Sequence, residues 1–133
     1  MRIIDRGYLS DILDQLDDLR NEDETDDYGI LRATQHAYET AGSILRDAGF
    51  RLRQQDRWMP RGVASTDATG GVRIDWVRRS GSVAVVVPAT ADRKPYVCRT
   101  DGGSEALISF LADTLYRFLA KISVAQDPGD QTA

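Results

Sequence analysis

Few residues in this 133-residue chain are of a type that does chemistry. His36 is its only histidine and Cys98 its only cysteine. Zinc draws on His, Cys, Asp and Glu ligands at short spacings. His36 stands in the middle of a helical pattern with no cysteine near it, so no metal site is expected. Cys98 falls in an apolar alternating stretch, which places it in a strand, buried rather than nucleophilic. No G-x-S-x-G elbow singles out a serine. The "TGG" at 69–71 and the "DGG" at 101–103 read as turns, because no G-K-[ST] follows to cradle a phosphate. The reading assigns no catalytic residue and no cofactor. An enzyme of unrecognised type ranks third among the functions considered.

The remaining chemistry is that of recognition. Residues 1–30 hold ten acids against three arginines, a net of −7, while the other 103 residues sum to +3 and bring the chain to −4. An acidic arm therefore precedes a mildly basic body. Asp11, Asp14, Asp17 and Asp18 lie on the outer face of a helical repeat. There they form either a solvated surface or a docking site for a basic groove. Within 46–99 there are eleven basic residues and five acids. Arg57, Trp58, Arg61, Arg78, Arg79, Arg93 and Lys94 mix cations with an aromatic, as single-stranded nucleic-acid binding requires. The acidic arm and the overall pI near 4.9 oppose a polyanion, and no helix-turn-helix, zinc or ribonucleoprotein signature is present.

Several elements must position these groups. Residues 8–20 repeat Leu9, Ile12, Leu13, Leu16 and Leu19 at helical spacing, with acids between. A second helix is predicted from Tyr28 to Ala48, striped by Thr34, Ala37, Tyr38, Ala41, Leu45 and Ala48. Gly49 reads as its left-handed stop. The two helices should form an antiparallel hairpin. "FRLRQQ" at 50–55 alternates and reads as a short strand. "DRWMPRGVASTDATGG" reads as a connecting loop.

Then comes "TGGVRIDWVRRSGSVAVVVPA", a β-hairpin. Taking Ser80-Gly81 as its turn pairs Trp76 with Val85, Ile74 with Val87 and Val72 with Ala89. That face is wholly apolar and is the core face, with Trp76 a packing residue. The opposite face carries Arg73, Asp75, Val77, Ala84, Val86 and Pro88, half polar and half apolar. A helix covers it, a partner covers it, or its exposure is tolerated. Of these, Arg73, Asp75, Val77 and Val86 join the four aspartates as candidate partner-binding residues. "YVCRT" at 96–100 is a further strand. Ser104 caps a last helix, about 104–123, carrying Leu107, Ile108, Leu111, Leu115, Phe118, Leu119 and Ile122.

Together these give a single α+β domain over 1–123: an acidic helical arm to residue 27, a helix at 28–49, an antiparallel meander of three to four strands within 50–100 and a helix at 104–123. A tail follows at 124–133. The meander should pack its Val72/Ile74/Trp76/Val83/Val85/Val87 face against the second and last helices. One cysteine permits no internal disulfide, and no apolar run approaches membrane length, so a reducing cytoplasm and no membrane contact are expected.

Pro60, Gly70, Gly71, Val72, Ile74 and Trp76 make up a proline loop followed by Gly-Gly-hydrophobe-x-hydrophobe-x-Trp. Over residues 58–100 this resembles small, largely uncharacterised bacterial proteins encoded beside a second gene in mobile or defence-related islands. The resemblance implies a role beside a partner, as an antitoxin, an immunity protein or a subunit of a bacterial complex, and it supplies no catalytic residue. The leading expectation is a non-enzymatic protein-interaction module that uses the acidic helix or the half-apolar sheet face. The alternative is a nucleic-acid-binding accessory protein that uses the arginines.

Overall fold

The computed structural model describes residues 7–21, 32–78, 81–101, 104–105 and 111–122. The expected start of the second helix at 28–31, Arg79, Ser80, Leu107, Ile108 and the 124–133 tail lie outside the described residues.

Helix α1 spans Leu9–Asn21 and buries Ile12 and Leu16, the centre of its apolar stripe. Helix α2 spans Gln35–Gln54. Thr34 caps it: its hydroxyl oxygen accepts the Ala37 amide at 3.1 Å and donates to the Ala89 carbonyl at 2.7 Å, so one side chain starts a helix and ties down a loop. Leu9 lies against Gly49 and Arg20 against Gln35, so α1 and α2 run antiparallel as expected.

Gly49 does not stop α2. A Cβ there would stand 2.9 Å from Leu9 Cδ2; the glycine lets α1 cross α2 closely. Leu45, Ala48 and Leu52 continue one buried stripe past it. The stretch expected as a strand at 50–55 is therefore the last turn of the helix and its cap. The stop comes at Asp56, which takes the left-handed conformation (φ 58°). The Asp56 amide donates to the Arg53 carbonyl and the Arg57 amide to the Leu52 carbonyl, the Schellman pattern with an aspartate in the glycine position.

Four antiparallel strands follow as a meander with a two-residue fifth: β1 Val63–Thr66, β2 Val72–Arg78, β3 Gly81–Val87, β4 Tyr96–Asp101 and β5 Ser104–Glu105, in that order across one sheet. β1 falls in the stretch expected as loop. Ser104 and Glu105 pair with Asp101 and Thr100, so Ser104 is a ladder residue and not a helix cap. Helix α3 spans Leu111–Ile122, and it buries Leu115, Phe118 and Leu119.

The hairpin closes one step earlier than the Ser80-Gly81 turn would have it. Arg78 pairs with Gly81, so Trp76 faces Val83, Ile74 faces Val85 and Val72 faces Val87. Each partner moves by two residues, which keeps every side chain on its expected face. Val72, Ile74, Trp76, Val83, Val85 and Val87 are all buried against the helices in one core. This is the α+β packing read from the sequence. Trp76 is fully buried and donates from Nε1 to the Pro60 carbonyl at 3.1 Å, so the indole gains apolar burial without an unmet donor.

Two substitutions test these constraints. Asp56→Gly relieves the left-handed penalty on a side-chain-bearing residue and raises stability by about 1 kcal/mol in urea unfolding. A Cβ at Gly62 would lie 2.7 Å from Trp76 Nε1; Gly62→Ala forces the enclosed indole to shift and lowers stability by about 2–3 kcal/mol in the same measurement.

Candidate interaction surface

The pleat that buries Trp76 sends the alternate side chains of β1–β4 to the other face of the sheet. The strand register sets them in rows. Val63, Asp75, Ala84 and Cys98 form one row; Ser65, Arg73, Val86 and Tyr96 form the next. Val77 and Ser82 lie beyond the first row, toward the β2–β3 turn. The helices pack on the inner side, α1 on β1 and α2, α2 on β2 and β3, α3 on β3 and β4. Among the described residues none of them covers the outer face. Val77 is 69% exposed, Val63 62% and Tyr96 36%.

The relief of this face is uneven. Ala84 is 5% exposed and Cys98 7%, although no described helix packs on this face. Val86 and Tyr96 form the raised row beside this recess. At the centre, Arg73 Nε donates to both oxygens of Asp75 at 3.0 Å. Both side chains are partly exposed, so the pair orients the two groups and contributes little to stability. Within β1–β3 the outer face carries one charge of each sign, Arg73 and Asp75.

At the Thr66–Val72 end the face runs into a cavity of about 390 Å³, lined by Asp67, Thr69, Val86, Pro88, Arg93 and Tyr96 among others. Asp67 builds its rim. One carboxylate oxygen, Oδ1, accepts the Thr69 amide at 2.8 Å, the Thr69 hydroxyl at 2.7 Å and the Gly71 amide at 2.9 Å. Partial desolvation raises the Asp67 pKa, but the hydrogen bonds from Thr69, Gly71 and Gly70 together outweigh it and hold the carboxyl below its ordinary value. The turn between β1 and β2 is thereby fixed in place, in hydrogen-bond contact with Thr34 through the Gly70 carbonyl.

The structure brings Arg73, Asp75, Val77 and Val86 together on this face, as the sequence pattern placed them. Asp11, Asp14, Asp17 and Asp18 lie elsewhere, exposed on α1 in the helical layer. Two of them are engaged within the fold. Asp11 accepts from Gln15, and Asp17 accepts the Tyr38 hydroxyl at 2.6 Å, which raises the phenol pKa. The arginine set does not form one surface. Arg57 donates to the Ala120 carbonyl at 3.0 Å and joins α2 to α3. Trp58 is half-buried, with the Arg53 guanidinium 4.2 Å from its ring centroid. Arg61 and Arg78 stand near the β2–β3 end of the sheet, whereas Arg93 and Lys94 lie in the β3–β4 loop at the opposite end, one strand length or roughly 20 Å away.

Sequence reading missed Val63, Ser65 and Tyr96 as members of the face. The alternation of "VAST" and of Tyr96 with buried Val97 is the signal that carries them. His36 is half-buried on α2, and among the described residues no group of three or more His, Cys, Asp or Glu side chains is placed to hold a metal. No described helix is long and apolar enough to cross a membrane.

The Asp67 turn has a defined pH signature. A lowered carboxylate pKa contributes stability above the unfolded-state value, near 3.9, and that contribution fades as pH falls through the lower folded value. Asp67→Asn keeps the acceptor but loses the charge. Its stability deficit relative to the parent should be present at pH 6 and vanish toward pH 2 in paired urea titrations. Asp67→Ala, which loses the acceptor as well, should cost about 1 kcal/mol more at pH 6.

No protein-family model, no curated protein and no solved structure gives a significant match to this chain.

Proposed function

We propose that this chain is a protein-interaction module that docks a partner protein on the outer face of its sheet, the kind of role, as antitoxin, immunity protein or complex subunit, that the resemblance of its proline loop and Gly-Gly strand to small uncharacterised bacterial proteins implies. The observation that carries this reading is the exposure of Val63, Val77 and Tyr96 on a sheet face that no described helix covers. Scattered exposed apolar residues are ordinary on soluble proteins, whereas Val63, Val77, Val86 and Tyr96 share one face of four adjacent strands, and apolar residues gathered on one face favour association. The polar groups at its centre pair with each other, so a partner meets a surface with little unmet polarity to desolvate. The acidic helix is the weaker candidate: its apolar stripe is spent on the core, and Gln15 and Tyr38 already hold two of its four acids.

The test separates the two surfaces. Val77→Arg and Val63→Arg alter exposed positions and should leave stability within about 0.5 kcal/mol of the parent. Each should abolish capture of a specific protein partner from cell extract, while Asp14→Lys with Asp18→Lys should leave capture intact. Capture that survives Val77→Arg, or is lost only with the α1 variant, rules out the sheet face.

A further inference from the structure

The rows of the outer face have a symmetry of their own. The level of Ala64, Ile74, Val85 and Val97 separates the recessed row of Val63, Asp75, Ala84 and Cys98 from the raised row of Ser65, Arg73, Val86 and Tyr96. Consider a two-fold axis lying above the face, running across the strands at that level. It superposes each strand on its own copy in the reverse direction. The raised row then lies over the recessed row of the second molecule, and the recessed row over the raised one.

Resting on the docking reading above, we infer that the occupant of the outer face is a second copy of this chain, packed sheet to sheet about that axis. Three features of the face support a copy of itself over a different protein. Arg73 of each molecule meets Asp75 of the other, so this positive and negative pair complement each other twice across the axis. Val86 of each molecule falls over the small, low-lying Ala84 of the other, which gives relief matching relief. Val77, the most exposed large apolar side chain among the described residues, falls at the level of Gly71 and Pro88 in the opposite molecule. There the 390 Å³ cavity between the Asp67 turn and Tyr96 opens. The right-handed twist rotates aligned sheets by about 30°, so the match is closest near the axis, where the charged pairs sit.

Size and charge agree with this arrangement. Strands of four, seven, seven, six and two residues, spaced about 4.8 Å apart, present roughly 400 Å² in projection, and more as accessible surface; a standard interface buries about 800 Å² per partner, so this face fits a small, weak dimer. The exposed acids of α1 lie with the helical layer, on the other side of the sheet from the joint. Their repulsion acts across two sheets and is screened over about 8 Å in physiological salt.

Sedimentation equilibrium of the full chain over about 1–300 µM should show a reversible dimer with a micromolar dissociation constant. Val77→Arg, Arg73→Asp and Asp75→Arg should each weaken it by at least about tenfold, with circular dichroism unchanged. The decisive arm is a mixture. Arg73→Asp and Asp75→Arg proteins, each weak alone, should form a heterodimer when combined in equal amounts, because every charge across the axis is again opposed. A chain that stays monomeric to 300 µM overturns the inference, as does a mixture that fails to associate or a dimer indifferent to all three substitutions. A monomer that still loses its partner protein with Val77→Arg overturns self-association alone and leaves the docking reading standing. Partner capture insensitive to Val77→Arg overturns that reading independently.

Discussion

The fold turns on the seating of one indole. Trp76 is the largest fully buried side chain, and its ring sits where the chain enters β1. Its burial contributes about 2–3 kcal/mol of transfer free energy. The hydrogen bond to Pro60 and the absence of a Cβ at Gly62 let the entering strand pass close over the ring edge. That passage sets where β1 begins and hence which residues of β1 face outward. Once Trp76 points inward, strand alternation assigns every other side chain of β2, and the ladders carry the assignment to β1, β3 and β4. The outer face is the complement of the tryptophan's burial.

A sheet whose described helices all pack on one side meets two requirements. Its inner face must be apolar enough to hold the core, and its outer face must tolerate water. The inner face meets the first with Val72, Ile74, Val83, Val85, Val87 and Val97, all buried. The outer face meets the second only in part. Arg73, Asp75, Ser65 and Ser82 suit solvent, but Val63, Val77 and Tyr96 leave apolar area in water. Apolar area gathered on one face is what a docked surface accounts for.

Much of this was legible in the sequence, because burial follows period. The stripes of α1 and α2 and the apolar side of the hairpin could be read directly, and the hairpin faces survived an error in the turn because pairing moved by two residues and not one. What could not be read are features that depend on tertiary approach. Gly49 looks like a helix stop to local reasoning; only the crossing of Leu9 reveals it as a spacer within the helix. Asp56, the true stop, carries no glycine to announce it. β1 hides in a stretch rich in Gly, Ser and Thr because four residues give too short an alternation to stand out. The arginines looked like a patch because they are close in sequence, yet strand reversal sends Arg78 and Arg93 to opposite ends of the sheet while α3 claims Arg57.

The edges of the sheet explain why association would run through its face. An open edge strand offers unpaired amides and carbonyls to any passing strand. On β1 that offer is withdrawn by Gln15 of α1. Its side-chain oxygen accepts the Ala64 amide at 2.8 Å, and its side-chain nitrogen donates to the Gly62 carbonyl at 3.1 Å, so one amide side chain stands in for a neighbouring strand. At the other side β5 pairs with only Thr100 and Asp101 of β4, and at two residues it is too short to template pairing itself. At these two places strand addition has little backbone to work on. The outer face, which no described helix covers, is the broader surface for a partner to meet.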